Sequence, residues 1–121
     1  MSMRNVLLED EYFVQRGVLD PRDIVICRAR LREIARHIDY YRDSIPIIRE
    51  AQDEASRQHA DPLYRFDWIN EISFQDRVLW RHSAAHPRLM ELAMDVLGPT
   101  VYPLNGGEFF MKPPHCGVEV P

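Results

Sequence analysis

The chain contains little lysine and no long apolar run. Its cations are fourteen arginines and one lysine, Lys112, and its net charge is −4. This acidic balance argues against nucleic-acid binding, which requires a dense basic face. No apolar run approaches the roughly 20 residues of a membrane span, and the N-terminus turns acidic before a signal-peptide core develops. We therefore expect a cytoplasmic protein that binds neither nucleic acid nor membranes.

Cysteine and glycine are also scarce. The two cysteines, Cys27 and Cys116, lack CxxC spacing, which favours free thiols in a reducing compartment. No glycine-rich phosphate loop is present, and "NGG" at 105–107 lies between two predicted strands, where a hairpin turn is expected. The 121 residues suffice for one domain, 1–121, with a core of its own.

Apolar periodicity predicts a long first helix. Asp20 is a favourable N-cap, and Pro21 suits the first helical position. Apolar residues then recur every three or four positions from Ile24 to Tyr41, which predicts a helix to about Arg42. Arginines on its other face, at 28, 32 and 36, are interpreted as a solvated face.

Two further helices are predicted downstream. A shorter, polar helix is expected between Pro46 and Asp61. A clear helix begins at Pro87 and stops at Gly98. Its apolar stripe is expected to be buried and consists of Leu89, Leu92, Ala93, Val96 and Leu97. Between these two helices, 63–72 is compatible with an extended segment, and 74–79 with one or two helical turns.

β-favouring residues lie mostly near the C-terminus. Strands are predicted for "TVYPL" (100–104), "EFFMK" (108–112) and "GVEVP" (117–121), with one short strand earlier, at 12–19. The chain is therefore expected to be mainly helical over 1–98 and β-stranded over 99–121. This order indicates an α+β fold.

Residues with catalytic chemistry form no complete set. His82 and His86 have the i,i+4 spacing of a metal pair, but Pro87 is expected to break the helix between them. His115 and Cys116 are adjacent and would need distant partners to chelate an ion. Lys112 is the best local candidate, because a lysine at a strand end can neutralise a carboxylate ligand. A solvent-facing lysine remains the alternative on residue chemistry alone.

Three motifs in series resemble the phytanoyl-CoA dioxygenase family. They are "YFVQRGVLDPRDIVICRARL", "HPRLMELAMDVLGPTVYP" and "FFMKPPHCGVEVP", and their order and spacing match those of the family from residue 12 to residue 121. The resemblance implies a non-haem Fe(II), 2-oxoglutarate-dependent oxygenase on a double-stranded β-helix (jelly roll). Such enzymes hold iron with two histidines and one carboxylate.

The chain departs from this family at its C-terminus. In the family a His-x-Asp motif follows the Gly-x-x-x-Pro segment almost at once, whereas the sequence stops at Pro121. We therefore expect an N-terminal portion in which the iron ligands and most of the jelly roll are absent. Such a chain should be inactive alone and should bind neither iron nor 2-oxoglutarate by itself.

The resemblance assigns few site residues. Lys112 matches a strand lysine that lies against 2-oxoglutarate in relatives. Glu108 falls where some members place a methionine against the co-substrate, and a carboxylate there would repel the dianion. Another basic contact falls near Glu71, which is again acidic. The cofactor-binding candidates are therefore Lys112 and Glu108, with no catalytic or metal residue assigned.

Three hypotheses follow. The first is the N-terminal portion of an oxygenase that hydroxylates an unknown small-molecule or acyl substrate. The second is a non-catalytic interaction module, or a homo-oligomer, that pairs exposed C-terminal strands. The third is a metalloprotein that uses His82, His86, His115 or Cys116.

Overall fold

The computed structural model describes residues 3–104 and 107–111. Helices and an antiparallel sheet are both present, so the predicted α+β class is confirmed at this level. The helices are α1 (Met3–Asp10), α2 (Pro21–Arg36), α3 (Glu54–Arg57), α4 (Ile72–Gln75), α5 (Arg77–His82) and α6 (Pro87–Leu97). The strands are β1 (Ile48–Glu50), β2 (Phe66–Asn70) and β3 (Glu108–Phe110).

Helix α2 begins where the sequence predicts. The Asp20 side chain accepts hydrogen bonds from the backbone amides of Arg22 and Asp23, and Asp23 completes a capping box. The helix ends at Arg36, six residues before the predicted end. A 3-10 helix, Ile38–Tyr41, follows it. The tighter turn places side chains three residues apart in line, and Ile38 and Tyr41 both pack at the core.

The predicted second helix is wrong over most of its length. Strand β1 occupies 48–50, and only the four-residue α3 is helical. Ile47 and Ile48 are β-branched and follow Pro46, so the segment has a β preference that the polar residues after it obscured. Asp53 then caps α3 through its side chain, which accepts from the Ser56 amide.

The sheet has the strand order β1-β2-β3, and both pairings are antiparallel. Ile48, Ile69 and Phe109 lie side by side across the three strands on the face that packs against α2. Arg49, Trp68 and Phe110 form the neighbouring row, and side chains of successive strand residues point to opposite faces. The sheet thus has one core face and one face that carries Arg49, Trp68 and Phe110.

The segment after Asp61 matches its predicted extended character only in part, because Pro62–Arg65 form a 3-10 helix. Residues 66–70 form the extended strand β2, and α4 and α5 supply the expected helical turns. Asp76 caps α5 by accepting from the amides of Val78 and Leu79. The core lies between α2, α5 and the sheet. Its buried members are Leu31, Ile34, Ala35, Ile38, Ile45, Leu63, Phe66, Ile69, Ile72 and Leu79.

Helix α6 has the predicted bounds but not the predicted burial. None of its residues is buried, and Leu97 is 71% exposed. The helix contacts α1, which the sequence did not predict as a helix. An apolar stripe therefore predicts a helix reliably, but it does not establish that another element covers the stripe.

Two predicted strands are absent from the described part of the chain. Residues 12–17 and 100–103 have no regular structure, although both contain β-favouring residues. Neither segment has a neighbouring strand to pair with among the described residues, and Tyr12, Val14, Tyr102 and Leu104 are exposed. Strand β3 confirms the prediction for "EFFMK" as far as Phe110. The predicted strand "GVEVP" lies outside the described residues.

No helix among those described is long and apolar enough to cross a membrane.

Candidate functional site

The open face of the sheet, defined by Arg49, Trp68, Asn70, Glu108 and Phe110, carries the one predicted cofactor residue that the structure describes. Trp68 pairs with Phe110 and Asn70 with Glu108 across β2 and β3. Arg49 pairs with Trp68 on the β1 side. Glu108 and Phe110 are exposed. This face therefore carries polar and aromatic side chains, of which Asn70 is buried and Trp68 half-buried.

An aromatic row crosses this open face. The rings of Trp68 and Phe110 stack with centroids 5.5 Å apart and planes 20° from parallel. The Arg49 guanidinium carbon lies 5.2 Å from the Trp68 ring centroid, which is a cation–π distance. Phe110 is 48% exposed, so its ring is accessible to solvent at the end of the row.

Glu108 is held by a buried amide. Asn70 Nδ2 donates a hydrogen bond to Glu108 Oε1 at 2.8 Å, and Asn70 is a buried residue. The Asn70 backbone amide donates to the Ile47 carbonyl at 2.9 Å, which fixes the backbone beneath the amide. Asn70 therefore orients one carboxylate oxygen of Glu108.

The other residues assigned by resemblance do not join Glu108 in the described structure. Lys112 lies outside the described residues. Glu71 adopts a left-handed backbone conformation, with φ of 51°, at the start of α4. This conformation is uncommon for residues other than glycine. Here it lets the single residue Glu71 connect β2 to α4. Glu71 therefore has a visible structural role in this turn.

His82 and His86 converge on one carboxylate. His82 Nδ1 lies 2.8 Å from Asp23 Oδ1, and His86 Nε2 lies 3.2 Å from Asp23 Oδ2. The hydrogen bond from His82 lowers the pKa of Asp23, burial opposes this change, and the Asp20 amide and His86 lower it further. Helix α5 ends at His82 and His86 precedes α6, so the predicted break between the histidines is confirmed. The Asp23 carboxylate ties the start of α2 to the α5–α6 connection.

No group of three or more His, Cys, Asp or Glu side chains within 3–104 and 107–111 is arranged to hold a metal ion. Two His-x-Asp sequences occur, at 37–39 and 59–61. Their carboxylates bind arginines instead: Asp39 lies 2.7 Å from Arg42 and Asp61 lies 2.7 Å from Arg32. The residues described therefore do not fit an iron site.

Cys27 has the environment of a core thiol. It packs against the core cluster and is free of a disulfide. Burial raises the pKa of its thiol, and the nearby carboxylates of Asp23 and Asp76 raise it further. Because the thiolate is the nucleophilic form, this environment disfavours a role in covalent catalysis.

An apolar groove lies between α6 and the irregular segment before α2. It has a volume of about 370 Å³ and is lined by Phe13, Gln15, Val18, Leu89, Leu92, Ala93, Val96 and Leu97. These include the α6 residues whose burial the sequence predicted. The groove does not include Glu108 and holds no titratable side chain in its lining.

Comparisons of the chain with models of protein families, with curated proteins and with solved structures find no match.

The sequence identified Glu108 but missed the residues around it. Trp68 and Asn70 alternate with Ile69 in β2, and this spacing of two is the signal that could have placed them on one face. Arg49 was missed because its segment was predicted to be helical. Only the pairing of β1 and β3 with β2 brings these side chains together.

Proposed function

We propose that the chain is the N-terminal portion of an Fe(II)- and 2-oxoglutarate-dependent oxygenase similar to the phytanoyl-CoA dioxygenases. The three motifs in series support this proposal, because they occur in the family's order and spacing between residues 12 and 121. The α+β architecture, with an antiparallel sheet packed on helices, is compatible with it.

The observation that carries the proposal is the position of β3. Among the described residues it is an outer strand of an antiparallel sheet whose core face is packed by helices, and Glu108 lies on the open face. Lys112 follows four residues later in the sequence. A jelly roll consists of two such sheets, so a second sheet in the complete enzyme would cover the open face and enclose a ligand there.

On this proposal, Lys112 neutralises the far carboxylate of 2-oxoglutarate. Glu108 has the same sign of charge as that co-substrate, so we assign Glu108 no direct contact with it. The described residues do not fit an iron site, and we assign the iron ligands to residues that follow Pro121 in the complete protein. The substrate is an unidentified small molecule or acyl group.

The test begins with the coding DNA that follows the codon for Pro121, translated in all frames. A His-x-Asp motif soon after Pro121 is expected. The extended protein should then convert 2-oxoglutarate to succinate when Fe(II) is present, whereas the 121-residue chain should not. Absence of the motif, or an extended protein without this activity, would sink the proposal.

Lys112 offers a matched pair of variants in the extended protein. Lys112→Ala removes the charge and should raise the KM for 2-oxoglutarate by about tenfold or more, since a charge-assisted contact is lost. Lys112→Arg keeps the charge but changes its shape, and it should have a smaller effect. An unchanged KM in Lys112→Ala would remove the lysine from the co-substrate site.

A second function is favoured by the edges of the sheet. Among the described residues, β1 and β3 each have only β2 as a neighbour. Outer strands expose backbone amides and carbonyls that can pair with another chain. We propose as the alternative a non-catalytic interaction module, or a homo-oligomer, that pairs these strands.

Size-exclusion chromatography with light scattering separates the two proposals. Strand pairing predicts a dimer or larger species of the 121-residue chain. A proline at Phe110 would remove a backbone donor in the outer strand and should reduce the assembly. A compact monomer that unfolds cooperatively would contradict the interaction module.

A further inference from the structure

We infer that the open face binds a small organic cation between the Glu108 carboxylate and the Phe110 ring. This inference goes beyond the proposed oxygenase function, because it concerns a ligand that is neither 2-oxoglutarate nor a metal. It also stands on residues of the described chain alone.

Charge and position of Glu108 are the first support. Asn70 Nδ2 donates to Oε1 at 2.8 Å, which holds one oxygen of the carboxylate in place. Glu108 is exposed, so a ligand can approach its second oxygen. A carboxylate fixed in this way is a poor contact for an anion and a favourable one for a cation.

The aromatic row is the second support. Phe110 lies two residues from Glu108 on the same strand face, so their Cα atoms are roughly 6–7 Å apart. A quaternary or primary ammonium group of a few ångströms can contact both, because a cation binds a ring within about 6 Å of its centroid. Phe110 is half exposed, and its ring stacks on Trp68, which limits its motion.

The protein itself places a cation on this aromatic row. The Arg49 guanidinium carbon lies 5.2 Å from the Trp68 centroid, on the β1 side of the sheet. Trp68 is thus flanked by Arg49 on one neighbouring strand and by Phe110 on the other. At the Phe110 end of the row, the same strand carries the carboxylate of Glu108. Charge complementarity therefore favours an external cation at that end.

The probe is tetramethylammonium chloride, added to the 15N-labelled 121-residue chain and followed by two-dimensional amide NMR. Saturable shifts are expected for amides in 66–70 and 108–110. Sodium chloride at equal ionic strength and tert-butanol, a neutral molecule of similar shape, should not reproduce them. Equal shifts with tert-butanol, or no saturable shifts in these strands, would overturn the inference.

Glu108→Gln is the decisive variant. Glutamine retains an oxygen that can accept from Asn70 but removes the charge, so binding should weaken by about fivefold or more. Phe110→Leu keeps apolar volume without the ring and should weaken binding by a similar factor. Glu9→Gln removes an exposed carboxylate on α1 and serves as the matched control, with affinity unchanged.

Arg49→Gln should change the affinity for tetramethylammonium in the opposite direction to Glu108→Gln. It removes a like charge from the same face, so binding of tetramethylammonium should become tighter. Retained affinity in Glu108→Gln with a well-dispersed spectrum would refute the site, because the fold would be intact while the charge was gone.

Discussion

His82 Nδ1 lies 2.8 Å from Asp23 Oδ1, although 59 residues separate the two in sequence. The second oxygen of the same carboxylate faces His86 Nε2 at 3.2 Å. Asp23 also belongs to the capping box of α2. One buried carboxylate thereby joins a helix start to the connection before α6.

Acid should destabilise the protein partly through Asp23. The hydrogen bond from His82 is the main cause that lowers the pKa of Asp23 in the folded state. A carboxylate with a lowered folded pKa stabilises the fold above its unfolded pKa, near 3.9, and this contribution is lost as pH falls through the folded pKa. In Asp23→Asn, the free energy of unfolding should therefore fall less steeply than in the parent protein as the pH is lowered below about 5. Urea denaturation at a series of pH values measures this difference.

Asp61 provides a matched second site for this experiment. The hydrogen bond from Arg32 lowers the pKa of Asp61 against the effect of burial. Asp61→Asn should also make the free energy of unfolding less dependent on acid pH. The effects of the two substitutions should be additive, because Asp23 and Asp61 share no partner. If the free energy of unfolding of Asp23→Asn fell with acid as steeply as that of the parent protein, folding would not lower the pKa of Asp23.

Asp76 should matter more than the exposed partner of the same arginine. Burial raises the pKa of Asp76, but the hydrogen bonds from Arg30 and from the α5 amides outweigh it, so the pKa is lowered. Asp76→Ala removes the cap of α5 and leaves Arg30 without its buried partner, which should cost about 2–4 kcal/mol. Glu33→Ala removes the exposed partner and should change the unfolding free energy by less than about 0.5 kcal/mol. Equal losses in the two variants would contradict this assignment.

The burial of α6 can be tested with two leucines. Leu79 is fully buried in the core, whereas Leu97 is 71% exposed. Leu79→Ala should therefore lower the unfolding free energy by about 2–5 kcal/mol, and Leu97→Ala by less than about 0.5 kcal/mol. Chemical denaturation measures both. A large loss in Leu97→Ala would show that its side chain is covered in solution.

Gly98 should resist substitution for a backbone reason. Its φ of 102° and ψ of 179° are accessible essentially only to glycine, and no atom lies within 4 Å of an added Cβ. Gly98→Ala should therefore lower the melting temperature through backbone strain alone, with a cost of about 1–3 kcal/mol. A variant as stable as the parent would indicate that this turn relaxes without cost.

The sequence predicted local features better than burial. Asp20 and Pro21 specify the start of α2, and Gly98 specifies the end of α6, because capping and backbone conformation depend on nearby residues. The "EFFMK" segment was predicted to be a strand, and the structure confirms this over Glu108–Phe110. By contrast, the stripe of α6 was predicted to be a core face, yet Leu89 and Leu97 are exposed and the other three residues are only half-buried. Periodicity does not say which element covers a helix.

The sequence by itself determined the helix caps, the strand at Glu108 and the spacing of His82 and His86. Tertiary structure alone decided that both histidines meet Asp23, that β1 replaces a predicted helix, and that Arg49, Trp68 and Phe110 form one row. The physical reason is the separation in sequence between the residues that interact. Caps and turns are set by residues a few positions apart, whereas strand pairing and buried ion contacts depend on residues far apart in sequence.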